Sequence, residues 1–163
     1  MQEFSKEETL NWMSGVEKRM SSGAVALVTS DNKVVVVKAH YKKYWSFPGG
    51  VVDAGETPRV AAAREVDEEV GIVLDPGQLE YKFVVDRVSD IAQTYQFVFE
   101  ATIDAAQFGH LRPAEDEIEE IAVVSRQQIQ HNDRYYSQSA RFWASGGSGY
   151  IEQQFGAGAQ SDI

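Results

Sequence analysis

Three glutamates, Glu65, Glu68 and Glu69, stand close together near the middle of the chain. On a helix these positions, i, i+3 and i+4, project from one face. Like charges at that spacing repel by about 0.2–0.5 kcal/mol per pair. A hard divalent cation that takes oxygen ligands, Mg²⁺ or Mn²⁺, would convert the repulsion into a ligand set. A solvated acidic face is the plainer reading. Periodicity does not separate the two, because Val60, Ala63, Val66 and Val70 form an apolar stripe under either. Arg64 directly precedes the cluster, within reach of Glu68 one turn on or of Glu56 across the preceding loop.

The elements that would position these groups are written locally. Thr57 suits a helix cap, Pro58 the first helical position, the alanines at 61–63 the interior, and Gly71 the stop. A helix ending at Val70 is predicted. Ahead of it, Pro48 restricts the backbone and Gly49-Gly50 permits a turn closed to larger residues.

With its flanks included, the pattern is more specific than a glutamate cluster. Gly50, Glu56, Arg64-Glu65-Val66, Glu68-Glu69 and Gly71-Ile72 are spaced so that the stretch resembles the Nudix box of the Nudix hydrolases. Every defining position is filled, and Trp45-Ser-Phe-Pro-Gly-Gly50 resembles its usual lead-in. The resemblance implies an α/β fold, an α/β/α sandwich around a mixed sheet. It implies Mg²⁺, with Mn²⁺ as substitute, on Glu65, Glu68 and Glu69, and a ligating backbone carbonyl at Gly50. It implies attack of water at a diphosphate phosphorus, with Glu65, Glu68 or Glu117 taking the proton. Arg64 would orient Glu65 or Glu68, and Glu56 would anchor Arg64. Family members place a further glutamate in or before a late strand, which makes Glu117 and Glu119 the candidates. They also hold substrate phosphates with basic residues upstream of the box, where Lys38, Lys42 and Lys43 lie; Lys38 is the one selected.

The remaining chain is consistent with one domain over residues 1–145. At 163 residues it can bury a core without staples, and it has no cysteine, hence no disulfide or thiolate chemistry. No apolar run approaches the about 18 residues needed to span a bilayer, and no secretion signal is evident, so a cytoplasmic protein is expected. The net charge of −10 opposes binding to long nucleic acids but not to a small nucleotide accompanied by cations. A monomer or homodimer is expected.

In order, Ser5-Lys-Glu-Glu8 opens a helix predicted to reach Met20, with Leu10, Met13, Val16 and Met20 inward. Gly23–Ser30 and Lys33–Ala39 read as buried strands in a hairpin at Asp31-Asn32. Leu79–Arg87 and Ile91–Ile103 read as two strands joined near Ser89-Asp90, with alternating aromatics. An acidic loop leads into a strand at Ile121–Ser125, and Gln127–Ala144 reads as helical. The Gly/Ser-rich stretch 146–163 reads as a flexible tail.

The substrate class the resemblance implies is a nucleoside diphosphate linked to another group: an NTP or modified NTP, an NDP-sugar, or ADP-ribose. The arrays associated with NADH, coenzyme A and dinucleoside polyphosphates are missing, and Asp86-Arg87 lies where ADP-ribose enzymes often carry proline. A non-catalytic nucleotide-sensing module on the same fold is the alternative. It has no need of a complete box, and the intact box favours an enzyme.

Overall fold

A computed structural model describes residues 5–14, 19–89 and 92–154. The expected positions of Val16, Asp90, Ile91 and residues 155–163 lie outside the described residues. Among the described residues seven strands form one mixed sheet: β1 (Met20–Val28), β2 (Val34–Ala39), β3 (Gly49–Val51), β4 (Glu80–Val88), β5 (Gln93–Thr102), β6 (Ile118–Val124) and β7 (Gly149–Gln154). The order is β6-β2-β1-β5-β4-β7, with β3 paired to β1. The β1–β5 and β4–β7 pairs are parallel and the others antiparallel.

The continuous apolar runs of β1 and β2 are explained by burial on both faces, as expected. Helix α2 (Pro58–Val70) covers one face, where Ala62, Val66 and Val70 meet Val25, Leu27, Val35 and Phe99. Helices α4 (Arg126–His131) and α5 (Gln138–Ala144) cover the other, where Ile129, Ala140 and Trp143 meet Ala24, Ala26, Val85 and Val98. The α/β/α sandwich is therefore present.

Close approach fixes the seat of α2. A Cβ at Gly23 would lie 2.3 Å from the Pro58 carbonyl oxygen, and one at Gly49 would lie 2.3 Å from the Gly23 oxygen. Glycine at Gly23 lets the helix start lie directly on β1, and glycine at Gly49 lets β3 pair closely beside β1.

Several boundaries differ from expectation. The first helix, α1, ends at Ser14 and Met20 begins β1, where pairing with Thr94 in β5 overrides helical spacing; Leu10 and Met20 are exposed. A short helix α3 (Ala105–Phe108), capped by Asp104, interrupts the loop before β6. The predicted Gln127–Ala144 helix is divided, with a 3₁₀ turn at Asp133–Tyr135. The tail expectation is corrected at Gly149–Gln154, which pairs along β4 from Phe83 to Val88.

Candidate active site

Helix α2 forms as its signals predict. The Thr57 hydroxyl accepts the Val60 N–H, Pro58 opens the helix, and Gly71 ends it in the left-handed region at φ 74°. Ala63, Val66 and Val70 of the predicted stripe are buried, whereas Val60 is exposed and Ala61, Ala62 and Glu69 join the buried face. That phase gives the three glutamates three environments.

Glu69 falls on the sheet side and is 3% exposed. The Gly49 N–H donates to its Oε2 at 2.9 Å. Burial pushes its carboxyl up to about 8, aided by the charges of Glu65 and Glu117 and opposed by the Gly49 N–H and Lys42. Glu65 is half-buried, and burial raises it too, against the pull of Arg64. A Cβ at residue 50 would sit 2.5 Å from the Glu65 carboxyl carbon, so bare backbone makes room for that carboxylate. Glu68 is turned outward, its side chain 56% exposed.

Arg64 ties the group together. Its Nε and Nη2 donate to the two oxygens of Glu56 at 2.8 and 3.0 Å, a bidentate pair. Nη1 donates to Glu65 at 2.8 Å and Glu68 at 3.0 Å, and Nη2 also reaches the Val51 carbonyl at 3.1 Å. Glu56 is held in turn, accepting the Asp53 N–H at 3.1 Å.

Glu117 comes from far along the chain. The loop before β6 is docked on the end of α2, where Arg112 N–H donates to Val70 O at 3.1 Å and Ala114 N–H to Glu69 O at 3.0 Å. His40 adds a second tether, its Nε2 donating to the Glu115 carbonyl at 3.0 Å and its backbone N–H to the Glu117 carbonyl at 3.1 Å. Glu117 thereby lines the same cleft as Glu65, a cavity of about 310 Å³. Tyr41, Lys42 and the Gly49–Val51 turn also line it. Part of its lining is a row across three strands: Val51 on β3, Ser22 on β1 and Gln96 on β5, aligned with one another.

Glu65, Gly50 and Glu117 therefore meet at one cleft, with Glu69 buried behind and Arg64 and Glu56 beside it. Lys38 and Glu119 do not line it; they pair with each other at 3.2 Å across β2 and β6. Tyr41, Ser22 and Gln96 are cleft residues that spacing did not single out, and Lys42 rather than Lys38 is the lysine present. Lys38 continues an apolar strand whereas Lys42 follows its end, and that is the signal that distinguishes them. For Gln96 the signal is alternation, as it is the polar position between Tyr95 and Phe97.

Among the described residues no three acidic or imidazole side chains are gathered tightly enough to hold one ion, and Arg64 bridges Glu65 and Glu68. The donor chemistry nevertheless fits a hard cation. Glu65 and Glu69 are both raised by burial, with the charges of Glu65 and Glu117 adding to the effect at Glu69 and those of Glu68 and Glu117 to the effect at Glu65. A divalent ion relieves the same strain that a proton does, with carboxylate oxygen as the preferred donor.

Comparison with known proteins identifies the family. The model of the NUDIX domain matches residues 18–144. The chain belongs to the Nudix hydrolase family. Among curated relatives, the 8-oxo-dGTP diphosphatase of Escherichia coli (strain K12) is 36% identical over 69 residues, 37% of this chain and 54% of that protein. The chain thus spans about half the length of such relatives. The solved MutT NUDIX hydrolase from Burkholderia pseudomallei superposes with a TM-score of 0.65 at 22% identity, covering 79% of this chain and 98% of that one. A bifunctional NMN adenylyltransferase/ADP ribose pyrophosphatase from Francisella tularensis, solved with AMP and a Mn ion, gives a TM-score of 0.65 at 18% identity, covering 85% and 44%. Both likenesses concern the fold. No helix among the described residues is long and apolar enough to cross a membrane.

Proposed function

We propose that this protein is a Mg²⁺-dependent pyrophosphohydrolase, with Mn²⁺ as substitute metal. Its substrate is a nucleoside diphosphate carrying a further group: an NTP or modified NTP, an NDP-sugar, or ADP-ribose. The observation that carries this reading is the grouping of Glu65 and Glu117 on one cleft, backed by buried Glu69 held at about 8. The names of the relatives support it, since they include a nucleotide diphosphatase and a protein solved with AMP and Mn.

Glu65, Glu68 and Glu69, with the Gly50 carbonyl, would hold the cation. When bound, it screens the diphosphate charge and lowers the pKa of an attacking water. Arg64 fixes Glu65 and Glu68 through Nη1, and Glu56 fixes Arg64 through its bidentate pair. Glu117 faces the cleft without an ion pair among the described residues, and it takes the proton of the attacking water. Lys42 brings positive charge to the phosphates from the same cleft.

The test is phosphate release, with an added phosphatase, from a panel of canonical and oxidised NTPs, NDP-sugars, ADP-ribose and dinucleoside polyphosphates in Mg²⁺. Turnover of one class by the natural sequence, lost in Glu69→Gln, is expected. Turnover that persists at the natural rate in that variant would sink the proposed metal role, and binding without turnover of any compound would point to a sensor.

A further inference from the structure

Gln96 is a cleft residue whose amide is held from behind. Its Oε1 accepts the Arg87 Nη2–H at 2.9 Å and also a hydrogen bond from the Ser139 hydroxyl. Arg87 Nη2 donates to Ser139 Oγ at 3.3 Å, and Arg87 Nε donates to Gln153 Oε1 of β7 at 3.2 Å. Arg87 and Ser139 are both buried, so the clamp lies inside the protein while Gln96 reaches the cleft.

The chemistry of the clamp fixes which way the amide points. A guanidinium has only donors, so the atom facing Arg87 must be the carbonyl oxygen; the reversed amide would set N–H against N–H. A carbonyl oxygen has two lone pairs, and Arg87 and Ser139 take both. The side chain is left with the two N–H donors of Nε2 and no acceptor to offer a ligand. An unclamped glutamine can accept and donate at once; this one only donates.

We propose that Gln96 selects the nucleobase, favouring bases that carry a carbonyl at the purine 6-position or the pyrimidine 4-position (guanine, hypoxanthine, uracil and thymine) over those that carry an amine there (adenine and cytosine). Arg87 is the positioning residue that enforces this choice. A carbonyl accepts from Nε2, whereas an exocyclic amine opposes donor to donor and leaves both groups desolvated and unpaired. This inference rests on the reading of the cleft as a nucleotide site, and it adds the base class to that reading.

Equilibrium binding tests it without relying on turnover. Calorimetry with IDP and ADP in Mg²⁺ compares two ligands that differ where a 6-carbonyl replaces a 6-amine. The natural sequence is expected to bind IDP at least about tenfold more tightly. Gln96→Ala should bring the two affinities together, weakening IDP by loss of its donor and relieving the donor-to-donor opposition in ADP. Gln96→Glu, which keeps an oxygen toward Arg87 and turns another to the cleft, should reverse the order. Arg87→Met should erode the preference at retained folding, checked by circular dichroism, because the amide is then free to flip.

Equal affinities in the natural sequence, a preference that survives Gln96→Ala, or no binding of either nucleotide would each overturn the proposal. Failure of the hydrolase reading shows up separately, as binding with the expected base preference but no phosphate release.

Discussion

The Gly49 N–H meets the Glu69 carboxylate at 2.9 Å across twenty residues of sequence, joining the glycine turn to a helix face otherwise packed with alanine and valine. A carboxylate in that position is stable as an acid or beside a cation, and poorly stable as a bare anion. With the folded value near 8 and the ordinary value at 4.5, the native state keeps a proton that the unfolded chain releases between those limits. Stability without metal should therefore be full below about pH 4.5 and fall as pH rises toward 8, by roughly 5 kcal/mol in the limit. Chemical denaturation in EDTA across that range measures it. Glu69→Gln keeps an oxygen for Gly49 and should flatten the slope, and Mg²⁺ should restore most stability at the alkaline end. Parallel slopes for both proteins would contradict this account.

Arg64 serves four acceptors with one planar group, a geometry that lysine lacks. Arg64→Lys should lower turnover by about 10–100-fold with little change in melting temperature. Steady-state kinetics beside a melting curve decide it. A large fall in melting temperature with unchanged turnover per folded molecule would assign Arg64 a purely structural part.

Two adjacent glycines should fail in different ways when given a methyl group. At Gly50 the new Cβ meets the Glu65 carboxylate, the movable end of a side chain, so Gly50→Ala should fold well and lose about 10²-fold in activity. At Gly49 it meets the backbone of Gly23 and Ala24, which cannot step aside, so Gly49→Ala should instead be destabilised by roughly 1–3 kcal/mol. Equal melting temperatures for the two variants would refute this contrast.

Glu117 and Glu119 are two residues apart and differently occupied. Glu117→Gln should reduce kcat by about 10²–10⁴-fold. Glu119→Gln loses only a partly exposed pair with Lys38 and should stay near the natural rate, as should Lys38→Ala. The reverse ranking would move the proton acceptor to Glu119.

Much of the sandwich was legible because its signals are local. Thr57, Pro58 and Gly71 bound α2 through their own backbone chemistry, and the apolar runs of β1 and β2 announce burial. The unequal roles of the three glutamates were not legible, because Glu69 is buried by the rotation of α2 against β1, which the close approach at Gly23 determines. Strand β7 was hidden for a related reason. Gly-Tyr-Ile-Glu-Gln-Gln has weak alternation, and parallel pairing with β4 supplies the strand from outside the segment. The choice between Lys38 and Lys42 likewise depended on where β2 stops.

The parallel pairing of β1 with β5 also bears on how the molecule assembles. Met20 aligns with Thr94 and Val28 with Thr102, so the first strand waits for a partner translated long after it. Everything that carries the box lies inside the loop this pairing closes. Loop-closure entropy opposes such a contact until late and slows folding relative to chains built from neighbours. The turn at Gly49 and helix α2 flank β1 directly, so the glutamates gain their final arrangement only as the central strands register. Recovery of activity during refolding should then lag the recovery of helical signal, making the chemistry itself a clock for completion of the sheet.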